Sequence, residues 1–190
     1  EMKFDFTGEM MDSHFYEAVI ESKARVTYGE AQEIVDETYN GKSLLHVQKE
    51  IIQASHLAKL LMGMRFKNGS LDLEIPDTQI ILDGAGVPID IIKSERLFAH
   101  RLIEEMMLAA NVAVAKFLSS KDITSIYRIH EPPKSDSIAI LEKYMEGFGS
   151  RTKLKSGGLQ KKLTKALQEF EGKPEAQVLN ILTLRSMSQA

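Results

Sequence analysis

Two adjacent carboxylates, Glu104 and Glu105, stand at the entrance of a strongly apolar run and are the first residues whose placement suggests chemistry. Successive residues on a helix point about 100° apart, so these side chains diverge and are poorly placed to share one metal ion or one proton. Glu105 has Arg101 four residues before it, and we expect a surface ion pair between them. Glu104 shares a helix face with His100 and Asn111, which predicts a polar ridge on an otherwise apolar helix.

Glu104 has two interpretations. A carboxylate among buried apolar side chains is costly unless it is hydrogen-bonded, and an internal partner such as His100 would supply that bond. Alternatively, the carboxylate faces a ligand and accepts hydrogen bonds from its hydroxyl groups. Spacing alone favours the internal partner.

Tyr28 stands at the start of a predicted helix. Thr27 and Glu30 have the spacing of a capping box, in which the Thr hydroxyl accepts a backbone hydrogen bond and the Glu side chain reaches back. The helix that they open is predicted to end near Tyr39. A tyrosine in this position usually packs with its hydroxyl satisfied. Alternatively, it presents its ring and hydroxyl to a nucleotide.

Residues 151–165 carry six basic side chains and no acidic one. The more ordinary interpretation of such a stretch is a solvated loop and helix face. The alternative is contact with a phosphate backbone. Because few phosphate contacts can form here, such binding is expected to be weak and salt-dependent.

Composition excludes several classes of site. There is no cysteine, which removes disulfides, zinc ribbons and thiol catalysis and fits a reducing, cytoplasmic setting. The five histidines do not form a paired zinc motif, and neither a phosphate-binding loop nor a serine-hydrolase elbow is present. The 24 Lys and Arg against 27 Asp and Glu give a net charge of -3, which is not typical of a generally basic nucleic-acid binder. No apolar run approaches the ~20 residues that a membrane span needs.

Apolar periodicity predicts an α+β fold, an antiparallel sheet with long packed helices. Strands are predicted at 4–6 and 16–20 as a hairpin, and at 71–75, 78–82, 87–92 and 125–130, while helices are predicted at 27–39, 43–65, 95–119, 135–147, 159–170 and 174–187. The helix at 135–147 is expected to be capped by Ser135 or Asp136. The middle of the helix at 95–119 is so apolar that we expect it to be buried on all sides.

Four strings in this chain resemble the catalytic (RNB) domain of the ribonuclease II / ribonuclease R family of 3′→5′ exoribonucleases. They are EAVIESKARVTY at residues 17–28, RLIEEMMLAAN at 101–111, IYRIHEP at 126–132, and GKPEA at 172–176 continuing to LRSM at 184–187. The strings come in the family's order and at about its spacing. The resemblance covers nearly the whole chain, and the ribonuclease R branch fits best.

The resemblance implies a partial RNB-type catalytic domain over residues 1–190, with 150–190 as its C-terminal helical part and 149–158 as a candidate linker. The family hydrolyses RNA from the 3′ end to nucleoside 5′-monophosphates, with Mg²⁺ held by aspartates spaced as Asp, five residues, Asp-x-Asp-Asp. That spacing occurs nowhere in this sequence. We therefore expect an internal part of a cytoplasmic enzyme that requires Mg²⁺, with this chain inactive and metal-free by itself. RNA is the expected partner, bound weakly by this chain, and no membrane association is expected.

The resemblance carries two RNA-binding positions onto this chain, Tyr28 and Glu104, and implies that both line the channel near the 3′-terminal nucleotides. A carboxylate that accepts from a ribose 2′-OH is one way to distinguish RNA from DNA. Leu73 stands where the family often has a Phe that stacks on the terminal base, so weaker stacking is implied. Two alternatives are an RNB-derived RNA-binding or scaffold module without catalysis, mildly favoured by Leu73, and an unrelated α+β interaction domain.

Overall fold

The computed structural model describes residues 1–73, 75, 78–154 and 157–188. Within these ranges the predicted α+β class is confirmed, with long helices and two small antiparallel sheets. The elements are β1 (Met2–Phe4), β2 (Met10–Ser13), α1 (Tyr28–Val35), a 3₁₀ turn (Leu45–Val47), α2 (Gln48–Lys67), β3 (Thr78–Leu82), β4 (Pro88–Lys93), α3 (Phe98–Ser120), α4 (Ser135–Gly147), α5 (Leu159–Gln168) and α6 (Glu175–Ser186).

The chain divides into two compact units. The first comprises residues 1–65 and 96–126, and the second comprises residues 66–95 and 127–190. No helix in the described ranges combines the length and the apolar character that a membrane crossing requires.

The first unit begins with a short hairpin. β1 pairs antiparallel with β2, so that Met2 lies opposite Ser13. Asp5 closes the turn, because its Oδ1 accepts the backbone N–H of Thr7 at 2.8 Å and that of Glu9 at 2.9 Å. The hairpin is therefore present, but its second strand comes earlier in the chain than predicted.

Two segments predicted as strands, 16–20 and 125–130, have no regular secondary structure. Their apolar side chains remain exposed, and those of Val19 and Ile126 are fully accessible to solvent. A strand needs the backbone hydrogen bonds of a neighbouring strand, and neither segment has such a neighbour in the described ranges. The strand predictions are wrong here because the alternation of apolar and polar residues indicates only a propensity for strand and does not identify a pairing strand.

α1 begins as the sequence predicts. Thr27 Oγ1 accepts the backbone N–H of Glu30 at 3.3 Å, and the Glu30 carboxylate accepts the backbone N–H of Thr27 at 2.8 Å. The hydrogen bond from the Thr27 backbone, followed by that from its hydroxyl, lowers the pKa of Glu30. The helix ends at Val35, earlier than predicted. Shortly after this end Glu37 has a φ of 59°, a left-handed conformation that cannot continue the helix.

α3 matches its predicted bounds closely, but the prediction that its middle is buried on all sides is wrong. Ala113 is buried, whereas Met107, Val112 and Val114 are exposed, and Asn111 is exposed as well. One face of the helix is covered by the described part of the first unit.

The second unit is built around α4, α5 and α6. α4 and α5 each present apolar residues at steps of three and four, which places them on one helix face. The core residues of this unit are Ile138, Leu141, Met145, Leu154, Leu163, Ala166, Phe170 and Leu179. α4 has Lys134 at its N-cap, with no capping hydrogen bond from a side chain, where Ser135 or Asp136 was expected.

The segment 149–158 is anchored where it is described. Leu154 is buried, and its backbone N–H donates to Glu142 Oε2 at 2.6 Å. The Thr152 hydroxyl donates to Glu169 at 2.6 Å, and this hydrogen bond is the main reason that the pKa of Glu169 is lowered. These contacts tie the segment to α4 and to the end of α5.

β3 and β4 form the predicted hairpin of the second unit, with Thr78 opposite Lys93. The turn is closed by Asp83, whose Oδ1 accepts the backbone N–H groups of Ala85 and Val87, both at 2.9 Å.

Candidate functional site

Tyr28, the first residue of α1, lies against His100 in the first turn of α3. The two rings stack with their centroids 4.1 Å apart and their planes inclined by 29°. Tyr28 remains 47% exposed although the imidazole lies against it. The pair therefore forms an aromatic platform at the surface of the first unit.

Hydrogen bonds hold this junction of α1 and α3 in place. The Leu97 backbone N–H donates to His100 Nδ1 at 3.1 Å, the role that Glu or Gln has at this position of a capping box. Gln32 Oε1 accepts the backbone N–H of Ala99 at 3.0 Å. Gln32 lies four residues after Tyr28 on the same helix face, so α1 meets the start of α3 through two contacts.

Glu104 lies one turn after His100 on the same face of α3, so the fold brings Tyr28 and Glu104 to one surface. Its Oε2 forms an ion pair with Arg96 Nη2 at 2.7 Å, and its Oε1 lies 3.9 Å from Arg65 Nη2. The side chain is 36% exposed. Its charge partners are thus arginines, where the sequence suggested His100, and the carboxylate still reaches solvent.

Glu105 contradicts its predicted role. It is buried, and Arg65 of α2 donates to its Oε1 from Nε at 3.0 Å and from Nη2 at 2.5 Å. The expected surface ion pair with Arg101 is therefore wrong. The correct partner lies 40 residues away in the chain, a distance at which helix periodicity carries no information.

We call Tyr28, Arg96, His100 and Glu104 the platform surface. It offers a flat aromatic ring, a carboxylate held in one orientation, and a guanidinium group beside that carboxylate. These groups match the three parts of a nucleotide: a base stacks on a ring, a hydroxyl donates to a carboxylate, and a phosphate attracts a guanidinium. The arrangement can bind and orient a nucleotide.

Sequence reasoning missed the two arginines and the role of His100. Arg96 precedes α3 and Arg65 ends the first unit's part of α2, and neither occurs in a motif that would single it out. The sequence places His100 on the polar ridge of α3 but does not reveal that its partner is Tyr28. The sequence predicts the start of this helix at residue 95, so it does not reveal that His100 is the third residue of α3, where an acceptor often caps a helix.

Leu73 and the basic stretch belong to the second unit. Leu73 is half-buried, and residues 71–73 have no regular secondary structure although a strand was predicted there. In the basic stretch, Lys153 forms an ion pair with Glu146. This ion pair offsets part of the positive charge of the stretch. Lys155 of this stretch lies outside the described residues.

Within the described ranges, no three His, Asp or Glu side chains come close enough together to hold a metal ion. The two carboxylates of α3 are instead paired with arginines. The described residues therefore do not fit the carboxylate-held Mg²⁺ that phosphodiester hydrolysis uses. A requirement for Mg²⁺ in a longer protein stays a prediction.

Residues 1–190 match the sequence model of one protein family, the RNB domain. The chain is similar to Ribonuclease R of Aquifex aeolicus, with 36% identity over 191 residues, and to Ribonuclease R of Thermotoga maritima, with 32% identity over 191 residues. Each alignment covers 100% of this chain and 27% of the relative. The chain thus spans little more than a quarter of the length of these relatives.

Solved structures of similar fold include RNase R of Mycoplasma genitalium in two complexes. The complex with ribose methylated single-stranded RNA has a TM-score of 0.85 at 25% identity and covers 99% of this chain and 30% of that chain. The complex with double-stranded RNA has a TM-score of 0.84 at 25% identity and covers 97% of this chain and 33% of that chain.

Proposed function

Because this chain belongs to the RNB domain family, we propose that it is part of a 3′→5′ exoribonuclease and binds the terminal nucleotides of an RNA strand at the platform surface. One observation carries the proposal: an aromatic pair with an exposed tyrosine and an arginine-paired carboxylate lie on one surface. The RNA complexes among the similar solved structures support RNA as the ligand class.

Each group of the platform surface has a role in this proposal. The base stacks on Tyr28, a contact that tolerates any sequence because every base has a π-face. The Glu104 carboxylate accepts a hydrogen bond from the ribose 2′-OH, which DNA lacks. Arg96 holds that carboxylate in its orientation and adds a positive charge beside it. The chain's own residues therefore bind and orient the strand.

We propose further that hydrolysis requires a cluster of aspartates whose spacing does not occur in this chain. In the longer protein, this cluster would hold Mg²⁺ as the cofactor. The expected result is that the 190-residue chain releases no 5′-nucleotides from an end-labelled oligoribonucleotide with Mg²⁺ or Mn²⁺. The reason is that its carboxylates lack the Asp-x₅-Asp-x-Asp-Asp spacing. Metal-dependent release above that of a mock preparation would contradict this expectation. The same assay on the longer protein separates an enzyme from a non-catalytic RNB-derived module.

Tyr28→Ala is expected to weaken binding of a short oligoribonucleotide by roughly 5- to 150-fold, because base stacking on an aromatic residue contributes about 1–3 kcal/mol. The measurement is an NMR titration of the 190-residue chain at low salt. Tyr144→Ala on α4 is the matched control, since Tyr144 is 50% exposed and lies in the other unit. Equal losses in the two variants would show that Tyr28 has no special role and would contradict the proposed function.

A further inference from the structure

His100 makes two contacts with different parts of its ring. Its edge accepts the Leu97 backbone N–H at Nδ1, and its face lies against the ring of Tyr28. At this helix position a glutamine could make the first contact and a phenylalanine could make the second, but neither could make both. The histidine therefore links the cap of α3 to the orientation of Tyr28.

The edge contact determines how the imidazole is held. Because the Leu97 N–H donates, Nδ1 carries a lone pair in this arrangement. The hydrogen bond also restricts rotation of the imidazole ring. Tyr28 thus rests on a surface that is itself hydrogen-bonded to the backbone. Its ring has two faces, one of which lies on the imidazole, and the side chain is still about half exposed.

We infer that His100 is a positioning residue for RNA binding and forms the inner layer of a three-part stack made of imidazole, phenol ring and terminal base. This inference rests on the proposed function, because it concerns the same surface. A tyrosine already supported on one face loses less side-chain freedom when a base stacks on the other face. His100 therefore raises the affinity for RNA although it does not touch the RNA.

Two variants of the 190-residue chain separate the contacts of His100. His100→Gln keeps an acceptor for the Leu97 N–H and removes the ring, whereas His100→Phe keeps a ring face and removes the acceptor. We expect His100→Gln to melt near the parent temperature and to bind a short oligoribonucleotide roughly five- to tenfold more weakly, a part of the effect of losing a stacked base. We expect His100→Phe to melt at a lower temperature and to keep its affinity within about twofold.

The double variant Tyr28→Ala/His100→Gln completes the test. If His100 acts through Tyr28, adding His100→Gln to Tyr28→Ala causes no further loss of affinity. A His100→Gln variant that binds RNA as tightly as the parent chain, while Tyr28→Ala binds weakly, would overturn the inference and leave the proposed function standing. A further loss in the double variant would show that His100 acts on RNA independently and would also overturn it. Normal binding by Tyr28→Ala would overturn both.

Discussion

Arg65→Met is expected to lower the free energy of unfolding by about 3 kcal/mol, because it leaves the Glu105 carboxylate buried without its charged partner. The Glu105 side chain is only 4% exposed, and that of Arg65 is 30% exposed. Removal of one member of a buried ion pair costs about 3–5 kcal/mol, and the partial exposure of Arg65 places this pair at the lower end of that range. For a chain of this length we expect the melting temperature to fall by roughly 6–12 °C.

Two further variants give this prediction its control. Arg65→Met/Glu105→Leu replaces both charges with apolar groups and should recover most of the lost stability, because no charge is then left buried. Arg101→Met tests the partner that local spacing had favoured. A harmless Arg65→Met together with a strongly destabilising Arg101→Met would contradict the prediction, because the stabilising arginine would then be Arg101 and not Arg65.

Glu104→Ala is expected to narrow the preference for RNA over DNA by about tenfold or more. The carboxylate is proposed to accept a hydrogen bond from the 2′-OH, and a hydrogen bond to a charged group contributes about 1.5–3 kcal/mol. The measurement is the ratio of affinities for a ribo-oligomer and a deoxyribo-oligomer of the same sequence. In a longer protein that hydrolyses RNA, the ratio of turnover rates should change in the same direction.

The ratio is the appropriate readout because truncation also removes a carboxylate partner of Arg96 and a negative charge close to Arg65. Both changes increase the attraction for phosphate, and they do so equally for RNA and DNA. Glu104→Gln is the matched variant, since its amide oxygen can still accept from a hydroxyl and should retain part of the preference. A lower melting temperature with an unchanged ratio would show that Glu104 acts only in stability.

Local physical chemistry determines the helices, and these were predictable from sequence. The capping box at Thr27 is a contact between residues three positions apart, and the apolar stripes of α4 and α5 follow the helix repeat. The strands were predictable only where both partners lie close together, as in β3 and β4 with their Asp83 turn. For 125–130 the alternation is present, but no sequence rule identifies a distant strand that would pair with it.

In the candidate site as well, contacts within one helix were predictable from sequence, whereas contacts between helices were not. Helix periodicity placed His100 and Glu104 on one face of α3, and the structure agrees. The stacking of Tyr28 on His100 and the burial of Glu105 against Arg65 depend on how separate helices pack. Such packing follows from shape and volume over the whole unit, which a single sequence does not reveal at any one residue.

Segment 125–130 has a consequence for the behaviour of the protein in concentrated solution. Ile126 and Ile129 are largely exposed, and the six residues contain no proline and a single charged side chain, Arg128. An open segment of high β-propensity and low charge is a template on which the same segment of another molecule can align, which is how ordered aggregates begin. Segment 16–20 carries Glu17 and is followed by Glu21, and repulsion between such carboxylates opposes the same alignment. Such alignment is therefore favoured more strongly at 125–130 than at 16–20.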